Sequence, residues 1–241
     1  MQRTRWLVLL GAMAAGLACA QAPRPAAKDK DKPPAKVVAP AGPRVWLARE
    51  VAQISEQQVW LFGADGSSVG VARTEQLRAL LSVFGKLEHQ AGVSSELYLS
   101  EGPEPDTWLA PGKGDQIVIR ISLGLVTMIG NDWDAWAFVL GHQLAHIEMF
   151  TRQRSELEQR EVGLPPPQKL TQDEEEKVAD GLALDWTIKA GYKPDGAVLF
   201  LTRLASRATP SSLFMRRHPF YPGRLDYVRD LGVTLTVPVK R

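Results

Sequence analysis

One cysteine, Cys19, is the entire thiol content of the 241 residues. That excludes a disulfide framework and any cysteine-based zinc site. A metal centre in this chain must therefore be built from histidine and carboxylate. Neither sign of charge dominates: Lys plus Arg is 29, Asp plus Glu is 27 and the formal net charge is +2. Bulk electrostatics gives no case for a nucleic-acid partner. The apolar run from Trp6 to Leu17 is too short for a membrane-spanning helix, which needs about 20 residues. Apolar residues at 44% and charged residues at 23% are ordinary globular usage, which excludes both wholesale disorder and a multi-span membrane protein. The length suits one full domain with appendages.

Residues 1–20 have a charged, an apolar and a small-residue zone in order: Arg3 and Arg5, then Trp6 to Leu17, then Ala18, Cys19 and Ala20. This is the pattern of a secretory signal peptide. Two processing routes fit it: cleavage after Ala20 at an A-x-A site, or lipidation of Cys19 at an imperfect lipobox, Gly16-Leu17-Ala18-Cys19. Either implies export. Residues 21–43 hold six Pro, six Ala and alternating Lys and Asp at a charge of +3, and read as a disordered tether. Residues 44–241 form the body, with 22 basic and 25 acidic side chains, and contain no internal repeat.

Periodicity in the body predicts an α+β, mainly helical fold with a small β-sheet. Thr74 could cap a helix to about His89, with Leu77, Leu80, Leu81, Phe84 and Leu87 at helical spacing. Glu96 to Ser100, Trp108 to Ala110 and Gln116 to Ile121 are short β-like runs between Gly and Pro punctuation. A helix is expected over Ser122 to Ile129, and a long one from Asn131 or Asp132 to about Met149, striped by Trp136, Leu140, Leu144 and Ile147. Thr171 and Glu174 make a capping box for a second long helix ending before Gly191. Pro194 and Pro222 open two more, to about Ala208 and Leu231, and Val233 to Val239 reads as extended.

Three of the four histidines fall in one constellation. His142 and His146, four apart on the long helix, lie one turn above each other and can aim ring nitrogens at one cation. A Glu from a facing helix completes the His₂Glu set that suits Zn²⁺, and Glu176 is the candidate. Asp180, one turn further on, faces the same way and can accept a ring N–H from a ligand histidine. His218-Pro219 precedes the last helix, and His89 stands apart from the group.

These motifs resemble those of the M48 family of zinc metallopeptidases, whose members carry HExxH on one helix, ExxxD on the next and an HP…R element further on. The likeness extends through Gln116 to Ile119, Gly124-Leu125, Asn131-Asp132, Ala137, Val139 to His142, Ala190 to Pro194, and His218-Pro219 with Arg224, and spans roughly residues 74 to 232. It implies a single zincin domain with an edge strand bordering the cleft, near Gln116 to Ile121. It also implies one zinc ion held by His142, His146 and Glu176, with Asp180 behind the ligands. His218 would face the cleft, in reach of the metal or the oxyanion, and an extended polypeptide would add to the edge strand.

One position departs from the pattern. Where the family has the Glu of HExxH, this chain has Gln143. That Glu takes a proton from water and passes it to the leaving amine. A neutral amide cannot take the proton, although it can still hydrogen-bond, and a general base is typically worth about 10² to 10⁴ in rate. Glu148, Glu174 and Glu175 are poorly spaced to replace it. The expectation is an exported protein of the bacterial periplasm or envelope that binds zinc and polypeptide, with hydrolysis lost or very slow. Its membrane attachment would come only through Cys19. Two alternatives remain at this point: an active envelope endopeptidase with a displaced base or relying on zinc to acidify water, and a metal-free interaction scaffold.

Overall fold

The structure, a computed structural model, describes residues 35–38, 44–63, 65–158, 170–207 and 212–236. The expected signal peptide with Cys19, and the tether as far as residue 34, lie outside these residues. Within the stretch read as a tether, Ala35–Val38 forms a strand, β1, paired in parallel with β3. Its Val37 packs against the core, which is the contact that orders a Pro- and Lys-rich segment here.

The fold is α+β, with eight helices and two small mixed sheets among the described residues. One sheet joins β1 to β3 (Gln58–Phe62) and β4 (Ser68–Arg73) in the order β1-β3-β4. The other contains β2 (Val45–Leu47), β5 (Leu97–Ser100), β6 (Thr107–Pro111) and β7 (Ile117–Ser122) in the order β2-β5-β7-β6. The expected edge at Gln116 to Ile121 is therefore corrected. β7 is hydrogen-bonded on both sides, parallel to β5 and antiparallel to β6, and β6 is the edge. The near-continuous apolar run of β7 fits an interior strand, because both of its faces are largely covered.

The helices are α1 (Ala48–Ala52), α2 (Thr74–Ala91), α3 (Leu123–Ile129), α4 (Trp133–Glu158), α5 (Gln172–Lys189), α6 (Asp195–Arg207), α7 (Leu213–Arg217) and α8 (Arg224–Thr236). Local chemistry sets several of their ends. Ser122 accepts the Leu125 N–H at the start of α3, and Asp132 Oδ1 accepts the Ala135 N–H at the start of α4. Thr171 and Glu174 form the expected reciprocal box on α5. Thr74 does not cap α2: it is the first helical residue, and its hydroxyl donates to the Glu56 carbonyl. α4 runs past Met149 because Arg, Gln and Glu are good helix formers and no Gly or Pro intervenes before Gly163. α8 continues to Thr236 instead of becoming extended at Val233. Gly232 there sits against Pro194, so packing overrides β-branched propensity.

α4 is the central element, packed on α2, α5 and α6. Its residues Trp136, Leu140 and Leu144 are wholly buried. Two glycines permit this closeness. A Cβ at Gly141 would meet the Ala183 backbone and side chain at 3.3–3.4 Å, so α5 lies directly on the turn carrying His142. A Cβ at Gly196 would lie 2.3 Å from the Asp134 carbonyl carbon, where the start of α6 abuts α4. Overpacking a core typically costs about 1–3 kcal/mol. Gly196→Ala is thus expected to lower unfolding stability by about that amount in urea titration, whereas Gly85→Ala, open on all sides, should not.

Candidate metal centre

α4, α5 and the turn after α7 bring His142, His146, Glu176 and His218 together, each offering one donor atom within 4.8 Å of the others. His142 Nε2 lies 3.1 Å from His146 Nε2, 3.2 Å from His218 Nδ1 and 3.3 Å from Glu176 Oε2. Glu176 Oε1 lies 3.2 Å from His146 Nε2 and 3.1 Å from His218 Nδ1. Tetrahedral zinc with bonds of about 2.0–2.1 Å separates its ligand atoms by roughly 3.3 Å. The contacts of His142 Nε2 with the other three residues already stand close to that spacing. Glu176 Oε2 is buried and faces two cationic groups at ion-pair distance, His142 Nε2 and Arg224 Nη1, each 3.3 Å away. Three imidazoles and one carboxylate suit zinc better than the all-oxygen shells of Ca²⁺ or Mg²⁺.

Behind the donors is a buried polar chain. Asp180 Oδ1 lies 2.9 Å from His142 Nδ1, on the face of the ring opposite the cluster. Arg224 grips Asp180 with two hydrogen bonds, Nε to Oδ2 at 2.8 Å and Nη2 to Oδ1 at 2.7 Å. The Tyr221 hydroxyl donates to Oδ2 as well. Arg224 Nη1 also lies 3.3 Å from Glu176 Oε2 and donates to the Pro219 carbonyl, fastening the His218-Pro219 turn. Phe214 packs on the His218 ring and Phe138 on the His142 ring.

Burial opposes charge on His142, but Glu176 and Asp180 outweigh it and raise the ring to about 9. Burial lowers His146 and His218 below the ordinary histidine value despite hydrogen bonds to Glu176. Burial alone would raise Glu176, but His142 and the hydrogen bonds of all three rings hold it far below the usual carboxylate range. Asp180 is likewise lowered against its burial, by His142 and Arg224.

The cluster stands in the wall of a cleft of about 800 Å³. Edge strand β6 supplies Trp108 to Pro111 to one side, and α4 supplies Gln143, Met149 and Phe150 to the other. Gln143 is fully buried, and its amide nitrogen lies 3.1 Å from His218 Nε2. Of the residues singled out from sequence, His142, His146, Glu176, Asp180, His218, Gln143 and Arg224 all converge here. His89 is exposed at the end of α2, Glu148 pairs with Arg152 on α4, and Glu174 is occupied in its cap. Periodicity did not single out Thr107, Arg217 or Tyr221. Thr107 O lies 3.3 Å from His218 Nε2, and Arg217 pairs with Asp106 while stacking over Trp108. Only adjacency to His218-Pro219 could have pointed to Arg217 and Tyr221.

Without metal, the raised His142 value stabilises the fold fully below the unperturbed 6.5, and this contribution is lost as pH rises through about 9. Metal binding requires the neutral ring, so zinc must displace that proton. Apparent zinc affinity should therefore climb between pH 6.5 and about 9, with proton release on zinc addition in weakly buffered solution. A flat affinity profile across that window would mean that His142 is already neutral before zinc arrives.

No family model matches the chain, and no curated protein matches it.

Proposed function

We infer that this is an exported zinc-binding protein of the M48 metallopeptidase type whose cleft engages an extended polypeptide and whose hydrolysis is lost or very slow. One observation carries the reading: four donors within 4.8 Å of one another in a cleft wall, with Gln143 beside them where a general base would stand. Zinc, when bound, supplies positive charge and Lewis acidity at this point. His142, His146, Glu176 and His218 would hold it, and Asp180 with Arg224 keeps the His142 ring turned towards it. Four protein donors make a closed shell, the arrangement of structural sites, whereas catalytic sites keep a position open. Gln143 adds to this, because its amide can hydrogen-bond but cannot carry a proton from water to a leaving amine.

The polypeptide part of the reading rests on β6. No strand lies beyond it among the described residues, so its outer N–H and C=O groups are placed to pair with an added strand. Trp108 and Leu109 from β6, with Met149 and Phe150 opposite, provide apolar walls for side chains. Export rests on the leader pattern of residues 1–20, and anchoring on Cys19.

The purified chain should take up one zinc ion, and zinc at 100 times its Kd should stabilise it by about 2.7 kcal/mol. His142→Ala should abolish that gain. The native chain should leave an unfolded protein substrate intact. Introducing Gln143→Glu into a His218→Ala background restores a base beside an opened shell, and should raise cleavage by about 10² to 10⁴ over His218→Ala alone. Zinc-dependent cleavage by the native chain would overturn the impaired-hydrolysis reading, and absence of zinc uptake would overturn the metal reading.

A further inference from the structure

The three-stranded sheet turns one face to the core and the other outward. Val59, Leu61 and Ala72 belong to the core, and Val37 packs against it. Strand alternation puts their neighbours on the opposite face. There the register sets Trp60 beside Val71 on β4 and Lys36 on β1, and Phe62 beside Val38. Val38, Val71 and Trp60 are 59%, 42% and 37% exposed. Single exposed apolar side chains are ordinary, but a contiguous group marks a contact surface. Two cations flank this one. Lys36 Nζ stands 5.3 Å over the Phe62 ring, and Arg73 is exposed at the end of β4. The other outward positions, Gln58 and Ser68, are uncharged, so the face holds no carboxylate. An indole and aliphatic side chains set among cations suit a membrane interface, where the ring lies at headgroup level and Lys or Arg meets anionic lipid.

The chain that precedes the sheet favours the same partner. β1 is the first described element, and only residues 20–34, fifteen in all, separate it from Cys19. Fifteen residues span at most about 50 Å, so a lipid on Cys19 would keep this sheet within that distance of the bilayer. The intervening segment is itself basic, with Arg24, Lys28, Lys30 and Lys32 against Asp29 and Asp31. Tethering raises the effective concentration of the surface, so that a contact too weak to form alone becomes populated. Resting on the export and anchoring reading above, we propose that the outer face of the β1-β3-β4 sheet docks on an anionic phospholipid bilayer. Trp60, Val71 and Val38 enter the headgroup layer, and Lys36 and Arg73 lie against lipid phosphate. Docking gives the body one orientation at the membrane, which a tether alone leaves free.

For the test, the chain is expressed with its own leader, recovered as the cell processes it, and mixed with phosphatidylethanolamine–phosphatidylglycerol vesicles whose acyl chains carry bromine. Quenching of the native fluorescence, less that of Trp60→Phe, isolates Trp60, which is expected to be quenched. Lys36→Gln with Arg73→Gln should weaken docking by about 25-fold, about fivefold for each charge, and phosphatidylcholine vesicles should dock the native chain less. Urea midpoints of these surface variants should match the native one, which separates lost docking from lost folding. An unquenched Trp60 on vesicles that hold the chain, or equal docking on phosphatidylcholine, would overturn the proposal. So would a native dimer, seen by sedimentation without vesicles and lost in Trp60→Ala, which would assign the face to a second copy. Mass spectrometry of the mature N-terminus decides the anchoring reading separately. If no lipid is found on Cys19, that reading fails, and flotation of the processed chain with the same vesicles decides docking: flotation lost in Trp60→Ala sustains it, and a native chain that does not float overturns it.

Discussion

Two carboxylates one turn apart on α5, Glu176 and Asp180, are 1% and 0% exposed. Burying an ion costs several kcal/mol unless an opposite charge and hydrogen bonds offset it. The fold sends one permanent cation to meet them, Arg224, itself 2% exposed, which pairs with Asp180 and reaches Glu176. One cation against two anions leaves a negative charge unmatched in the interior. Without metal, that charge is what lifts His142 to about 9. With metal, a dication supplies the compensation at the same point. Much of the architecture follows from this balance. α8 must begin beneath α5 to deliver Arg224, the His218-Pro219 turn must present its carbonyl to that guanidinium, and α4 must lie close enough to bring His142 within range. The third condition is met at Gly141, where the helix surface touches Ala183 directly.

Much of this site was legible in the sequence because helical periodicity is local. Spacings of four place His142 with His146 and Glu176 with Asp180, and the reciprocal Thr171–Glu174 cap marks where α5 begins. The order of strands was not legible in the same way. A run such as Ile117–Ser122 reads as a strand whichever place it takes in the sheet, and the edge role of β6 depends on pairing between distant segments. β3 carries alternating burial and β4 follows a turn at Gly66, yet β4 does not alternate cleanly, and the three-stranded sheet they form with β1 depends on distant pairing. The far end of α8 was misjudged for a related reason. Val233 to Thr236 has a β-branched composition, and the contact that keeps it helical, Gly232 on Pro194, links elements far apart in the chain. For His218 the family resemblance implied only a place facing the cleft, near the metal or the oxyanion, and the packed structure turns its Nδ1 edge to the donor cluster.

The wall of the cleft and the donor cluster are not mechanically separate. Thr107 begins the edge strand, and its carbonyl faces the His218 ring that belongs to the cluster. One residue before His218, Arg217 pairs with Asp106 and stacks over Trp108, so the same turn is fastened to the same strand twice. Asp106 in turn is buried and donates its backbone N–H to Ser122, the cap of α3. A ligand added along β6 must accommodate Trp108 and the Arg217 guanidinium above it, and so bears on the position of His218. A metal ion held partly by His218 bears equally on β6. Where two ligands bias one shared element, each changes the affinity of the other by the same factor. The coupling here runs through one turn and the start of one strand. Were the cluster to hold a metal ion and β6 an added strand, that turn would link the two.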